Sequence, residues 1–228
     1  MRLSIIIPVL NEAEALPGLL GHLASLCACD TEVIVVDGGS EDDSRQAAAR
    51  AGAQVIRSER GRARQMNAGA AVAKGDVFLF LHADTMLPPS AEQIIETAIR
   101  RGDGIHEYAW GRFDVRIAGR SFMLRVVASL MNWRSRLSGI ATGDQAMFMA
   151  RRAFEAVGGF PDQPLMEDIE LSKRLLALSR PICLKDRVVT SGCRWEAHGV
   201  WKTIWLMWRL RWLYWRGVPA GELAKSYR

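Results

Sequence analysis

The chain has 228 residues, 49% hydrophobic and 24% charged, the balance of an ordinary globular protein with a sizeable core, which excludes a disordered or fibrous chain. Its 30 Lys+Arg against 25 Asp+Glu give a net charge of +5; a solvated surface accounts for so mild an excess, with attraction to phosphates or to an anionic membrane as the alternative. Cys27, Cys29, Cys183 and Cys193 contain no CxxC pair, which argues against a zinc site or disulfide framework and predicts reduced thiols in a cytoplasmic protein.

Residues 4–9 are an unbroken Ile-rich run, predicting a strand buried on both faces. The run is too short for a signal-peptide core, and Asn11 and Glu12 interrupt it. Residues 12–26 place Leu16, Leu19, Leu20 and Leu23 at helical spacing. A second buried strand follows over 32–36, then Ser40 as N-cap of a helix over 41–51. A short strand over 54–56 precedes a helix over 64–73, a turn at Gly75-Asp76 and a strand over 77–81. Beyond these, 110–117 reads as a strand with Gly111 and Gly119 as breaks, 121–132 as a helix, and 142–149 as a loop entering a strand. Residues 153–157 read as a helix closed by Gly158-Gly159, 167–178 as a helix, and 181–189 as a strand. Alternating strands and helices predict a mostly parallel, doubly wound α/β sheet flanked by helices.

Three of these strands end on carboxylates or amides: Asn11 and Glu12 after the first, Asp37 after the second, and Asp84 after the run that closes His82-Ala83-Asp84. The C-terminal edge of an open α/β sheet is where ligands bind. Carboxylates there suit a ribose, a nucleobase edge or a divalent cation.

In this order and spacing, Ile5-Ile6-Ile7-Pro8-Val9-Leu10-Asn11-Glu12, Val35-Val36-Asp37-Gly38-Gly39-Ser40, Arg64-Gln65-Met66-Asn67-Ala68-Gly69, His82-Ala83-Asp84, Gly143-Asp144-Gln145 and Glu167-Asp168 resemble the family 2 inverting glycosyltransferases of the GT-A fold. The likeness is nearest to small bacterial members and spans roughly residues 1–190. It implies a GT-A domain over 1–193 and a C-terminal helical appendage over 194–228. It also implies inverting transfer of one sugar from a UDP- or GDP-type donor, assisted by Mg2+ or Mn2+. Two departures stand out. The family's second acid after Asp37 is Gly38 here, and its DxD is His82-Ala83-Asp84. The QxxRW motif of processive synthases is missing at Arg194-Trp195, so a single transfer is expected.

The resemblance implies these roles. Asp168 is the base, although acids in a first turn also simply favour the helix dipole. Asp84 is the metal ligand, with His198 as a candidate further ligand. Donor contacts fall to Pro8, Asn11, Glu12, Asp37, Gly39, Arg62, Asn67 and His82, with Arg60 and Arg64 as surface. Asp144, Gln145 and Glu167 fall on the acceptor or sugar side. Each has a structural alternative: a turn for Asn11 and Gly39, a packed ring for His82 and His198, a solvated charge run for the arginines.

Trp201, Trp205, Trp208, Trp212 and Trp215 recur at spacings of 4, 3, 4 and 3, one stripe on a helix. Residues 200–215 are too short and too charged for a membrane span of ~20 apolar residues. Packing on the chain's own domain or a homodimer through 200–216 comes first. Peripheral contact with the inner face of the membrane comes second, beside a lipid-linked acceptor. No nucleic-acid partner is expected. No GxGxxG or P-loop follows strand one, which argues against a dehydrogenase or NTPase, and Pro8–Glu12 replaces the glycine-rich loop of a sugar-phosphate nucleotidyltransferase. A nucleotide-sugar-binding scaffold without turnover is the non-enzymatic alternative, kept open by Gly38 and His82.

Overall fold

The computed structural model describes residues 1–27, 30–101 and 104–227; Cys29 lies outside them. An eight-stranded sheet forms the centre, in the order β3-β2-β1-β4-β9-β8-β10-β5. The left half is β1 Leu3–Val9, β2 Glu32–Asp37, β3 Gln54–Arg57 and β4 Val77–Phe80, all parallel. β5 Thr85–Met86 runs antiparallel to the last strand, β10 Ile182–Ser191. β6 Arg100–Arg101 and β7 Gly104–Ile105 make a separate two-stranded ribbon. β8 Trp110–Ala118 is parallel to β10, and β9 Met147–Ala150 is antiparallel to both β4 and β8.

The alternation along β1 explains the two-sided burial. Ile5 and Ile7 enter one core with α1 Leu16–Leu26, α4 Ala91–Ile99 and α5 Phe122–Ser138. Ile6 enters the other, with α3 Arg62–Val72, α6 Arg151–Ala156 and α7 Glu167–Leu176. α2 Ser44–Arg50 packs beside β3. Past β10 the chain forms α8 Cys193–His198, α9 Val200–Trp215 and α10 Ala220–Tyr227. Leu210 of α9 and Leu223 of α10 pack with Met166 and Ile169 at the start of α7.

Several sequence expectations change in detail. Ser40 does not cap a helix: α2 starts at Ser44, and the Ser40 hydroxyl accepts from the Asn11 N–H at 2.9 Å. Gly111 does not break β8; a Cβ there would stand 2.3 Å from the Ile182 carbonyl oxygen and 2.6 Å from the Phe148 ring, so glycine lets β8 and β10 approach. α5 runs six residues past the expected end at Asn132, to Ser138. Its start is capped by Ser121, which accepts from Met123 N–H. The five tryptophans of α9 are 55–80% exposed, so the stripe is not packed into the chain's own core. Cys27, Cys183 and Cys193 are free thiols, and burial pushes the Cys27 thiol up to about 11.

Candidate active site

After β1 the chain moves to one side of it for β2 and β3, then crosses to the other side for β4. That reversal opens a crevice at the C-terminal ends of the strands. A cleft of about 460 Å³ lies there. Pro8 enters it at the end of β1 and Glu12 just past it, His82 and Asp84 after β4, Arg60 just before α3 and Arg62 at its first residue. Gly143 and Asp144 face them from the loop before β9, Glu167 and Asp168 from α7, and Arg211 from α9.

Asp84 is exposed in this cleft, and its Oδ1 accepts from the Thr85 hydroxyl at 3.1 Å and the Thr190 hydroxyl at 3.4 Å. The β5–β10 pairing therefore holds the carboxylate in place. His82 Nδ1 lies 3.4 Å from Asp144 Oδ1. A Cβ at Gly143 would fall 2.6 Å from the His82 ring, so glycine is what admits the imidazole. Burial works against the Asp144 carboxylate, but its hydrogen bond to His82 and the His82, Arg62 and Arg211 charges hold its pKa below the ordinary value.

Asp168 Oδ2 accepts from the Gly143 N–H at 2.9 Å and Oδ1 from the Ile169 N–H at 2.7 Å. The carboxylate is thus oriented by two backbone donors at a helix start. Its neighbour Glu167 is 6% exposed. Burial, then repulsion from Asp168, raises the Glu167 pKa against the pull of Arg62. Burial and the Asp84 charge likewise raise that of Glu12. Arg62, Asp84 and the acids thus form one electrostatic cluster.

A second cationic group borders Asp168. On α5, the Nε and one Nη of Arg134 are buried without a hydrogen-bond partner. Burial, then the Arg211 charge, lowers the Arg134 pKa to about 10, with Asp168 opposing. Arg211 is depressed by burial too, with Asp168 and Asp144 opposing. Arg134 and Arg211 are absent from the sequence expectations, and Gly143 and Gln65 appear there only inside motifs, with no role of their own. Only folding shows that α5 and α9 bring their arginines to Asp168 at the start of α7.

Other expected residues stand outside the cleft lining. Asp37 is 1% exposed and accepts from the Ser40 N–H at 2.9 Å and Gly39 N–H at 3.3 Å, closing its own turn. Gly39 supplies that turn's φ of +93°. Asn11, at φ +55°, accepts from the Glu41 N–H at 2.9 Å and ties two loops. Asn67 is engaged at both ends by the Phe160 backbone, at 2.8 and 2.9 Å, so it positions the loop before α7. Gln145 is fully buried, capping its 3-10 turn with Thr142. His198 ends α8 on the exposed surface. Arg64 forks onto Asp162 at 2.8 and 2.9 Å, a surface role as expected, whereas Arg60 joins the lining.

Among the described residues no three His, Cys, Asp or Glu side chains are grouped to hold a metal ion. The model for "Glycosyl transferase family 2" matches residues 4–158. The chain belongs to glycosyl transferase family 2. That is the family the resemblance implied. Over 150 residues the chain is 40% identical to an undecaprenyl-phosphate 4-deoxy-4-formamido-L-arabinose transferase of Pseudomonas fluorescens (strain SBW25), covering 60% of this chain and 40% of that protein. The chain thus spans about two fifths of this relative's length. Among solved structures, S. aureus TarS 1–349 in complex with UDP superposes with a TM-score of 0.67 at 20% identity, over 84% of this chain and 60% of that one. A mannosyltransferase from Pyrobaculum calidifontis, in complex with GDP-Man and Mn2+, gives 0.62 at 19% identity, over 82% and 56%. The fold of this family 2 chain is accordingly GT-A, a mixed α/β sheet flanked by helices.

Proposed function

We propose that the chain transfers one sugar from a nucleotide-diphospho-sugar of the UDP or GDP type to a lipid-linked, phosphate-bearing acceptor, with inversion and with help from a divalent metal. The observation that carries this reading is the convergence of Asp84, Arg62, Glu167 and Asp168 on one cleft at the sheet's switch point. The Pyrobaculum enzyme's GDP-Man and the TarS-bound UDP support a nucleotide donor. The name of the Pseudomonas relative supports a polyprenyl-phosphate acceptor. The Arg134–Arg211 corner is the feature of this chain that suits an anion.

Asp84 would hold Mg2+ or Mn2+ together with the donor diphosphate, since a small hard cation needs only one or two protein carboxylates when substrate phosphates complete its shell. A carboxylate exposed in the cleft and fixed by Thr85 and Thr190 fits that use. The metal would supply charge neutralisation for the departing diphosphate. Arg62 and the first turn of α3 give the diphosphate a positive helix end. As the acceptor phosphate oxygen forms its bond to the anomeric carbon and the nucleoside diphosphate leaves from the opposite face, Asp168, held by the Gly143 N–H, takes the proton that a monoanionic phosphate still carries. Its half-exposed carboxylate can meet an incoming acceptor, whereas Glu167 is buried.

The test supplies each UDP- and GDP-sugar with Mg2+ or Mn2+ and a short-chain polyprenyl phosphate, and follows transfer. One donor should be turned over. Asp168→Asn should lower kcat about a hundred- to ten-thousand-fold, and Arg211→Ala should raise the acceptor KM while leaving the donor KM in place. An unchanged rate in Asp168→Asn removes Asp168 from the base role. Turnover onto a neutral alcohol but not a phosphate removes the phosphate acceptor.

A further inference from the structure

α9 leaves Trp201, Trp205, Trp208, Trp212 and Trp215 between 55% and 80% exposed, while Thr203 and Leu210 on its other side are buried. α5, which packs against α9, carries a second stripe: Phe122, Leu130, Trp133 and Leu137 are 52–69% exposed. Water-exposed aromatic area on this scale marks an interaction surface. The tryptophans are not buried by their own fold, so the occupant comes from outside the chain.

The charges choose the occupant. α5 carries Arg125, Arg134 and Arg136, α9 carries Lys202, Arg209 and Arg211, and neither helix holds an acidic residue. Arg125, Lys202 and Arg209 are exposed, as is Arg216 just past α9. Arg209 lies over the Trp205 ring and Arg216 over the Trp212 ring, each 5.4 Å from the centroid, so positive charge edges the aromatic stripe. A second copy would bring like charge onto like charge. A layer of anionic headgroups over acyl chains offers apolar depth for the rings and negative charge for their rim.

We propose that the exposed faces of α9 and α5 seat the protein on an anionic bilayer, with both helices lying in the interfacial plane. The 16 residues of α9, at about 1.5 Å rise, reach about 24 Å, short of the ~30 Å hydrocarbon core. Among the described residues no helix is long and apolar enough to cross a membrane. The same helix that turns its tryptophans outward sends Met207 and Arg211 into the cleft, so docking would set the cleft beside the lipid headgroups. This surface needs neither donor nor metal, and its test is independent of the transferase reading.

The experiment is co-sedimentation of the full chain with vesicles of phosphatidylglycerol and phosphatidylethanolamine, and with vesicles of phosphatidylcholine alone. Binding is expected to the first and much less to the second, and should weaken as salt rises. Lys202→Gln and Arg209→Gln should each weaken it roughly fivefold. The triple variant Trp205→Ser/Trp208→Ser/Trp212→Ser should lose binding while keeping the melting temperature of the unchanged chain, because those side chains are exposed. Trp133→Ser should weaken it as well, since α5 is part of the surface. Absence of binding to the anionic vesicles overturns the proposal, as does a tryptophan variant that binds as tightly as the unchanged chain. A lipid-free dimer, seen by light scattering and dissociated by the triple variant, would assign the surface to a second copy instead.

Discussion

Glu167 is a carboxylate held where its charge is poorly accommodated: it is buried and adjacent in sequence to Asp168. Burial and Asp168 raise its folded pKa, Arg62 opposing, so the native state keeps a proton that the unfolded chain has already released. By linkage, the stability this group contributes is present below its unfolded pKa and is lost as pH rises through the folded value. Glu167→Gln removes that titration. The variant should match the parent in acid and become the more stable of the two as pH rises towards neutrality, measured by urea melts across a pH series. A constant difference at every pH would show that the Glu167 charge is accommodated after all. At the same scale, Gly38 is held to glycine by its neighbour: a Cβ there would be 2.9 Å from Gln65. The Gln65 Nε2 donates to the Val9 and Val36 carbonyls at 2.8 Å, bridging the ends of β1 and β2.

Elements α5 and β8 are joined by a buried ionic network. Arg112 is fully buried, pairs with Asp114, and donates to the Ser135 hydroxyl at 3.0 Å and the Asn132 carbonyl at 3.1 Å. Arg136 reaches the other Asp114 oxygen at 2.9 Å. Asp114→Ala would strand the Arg112 charge in a dry interior, and should cost about 3–5 kcal/mol. Arg112→Met with Asp114→Leu removes both charges and should recover most of that, which denaturant melts of the single and double variants would resolve. If the single variant melts like the parent, the network is not holding α5 in place. Such pairs are invisible to periodicity, because β8 reads as an alternating strand whichever partner its arginine finds. The strands were legible wherever burial on both faces produced unbroken apolar runs, as in β1, β2 and β4. β5 was not, being too short to show a period, and within the helical appendage expected over 194–228 the division into α8, α9 and α10 was not, since α8 is short and α10 depends on Leu223 meeting Leu210 across the chain.

At the scale of the whole molecule, the cleft is assembled from both ends of the sequence. That Glu12, Arg62, His82 and Asp84 would share it was readable, since they sit at strand ends and a helix start. Asp37 and Asn67 were expected on the donor, and in the fold their side chains close a turn and clamp Phe160 outside the cleft lining, because residue types that suit a nucleotide suit those tasks equally well. The other half depends on α5 and α9 folding back over α7, which nothing local encodes. A cleft built this way should report donor binding as global stability, because a ligand that binds only the folded chain stabilises all of it. At a hundredfold excess over Kd that gain is about 2.7 kcal/mol, and at roughly 2–4 °C per kcal/mol for a chain of this size the melting temperature should rise by about 5–11 °C. A panel of UDP, GDP, CDP and TDP, each with and without Mn2+, should single out one nucleotide, with the larger shift in metal. Asp84→Asn should remove the metal-dependent part and leave the metal-free part, because Glu12, Arg62 and the α3 terminus remain. A shift that is metal-independent in the parent would remove Asp84 from the metal. No shift with any of the four would leave a family 2 fold whose cleft serves something other than a nucleotide sugar.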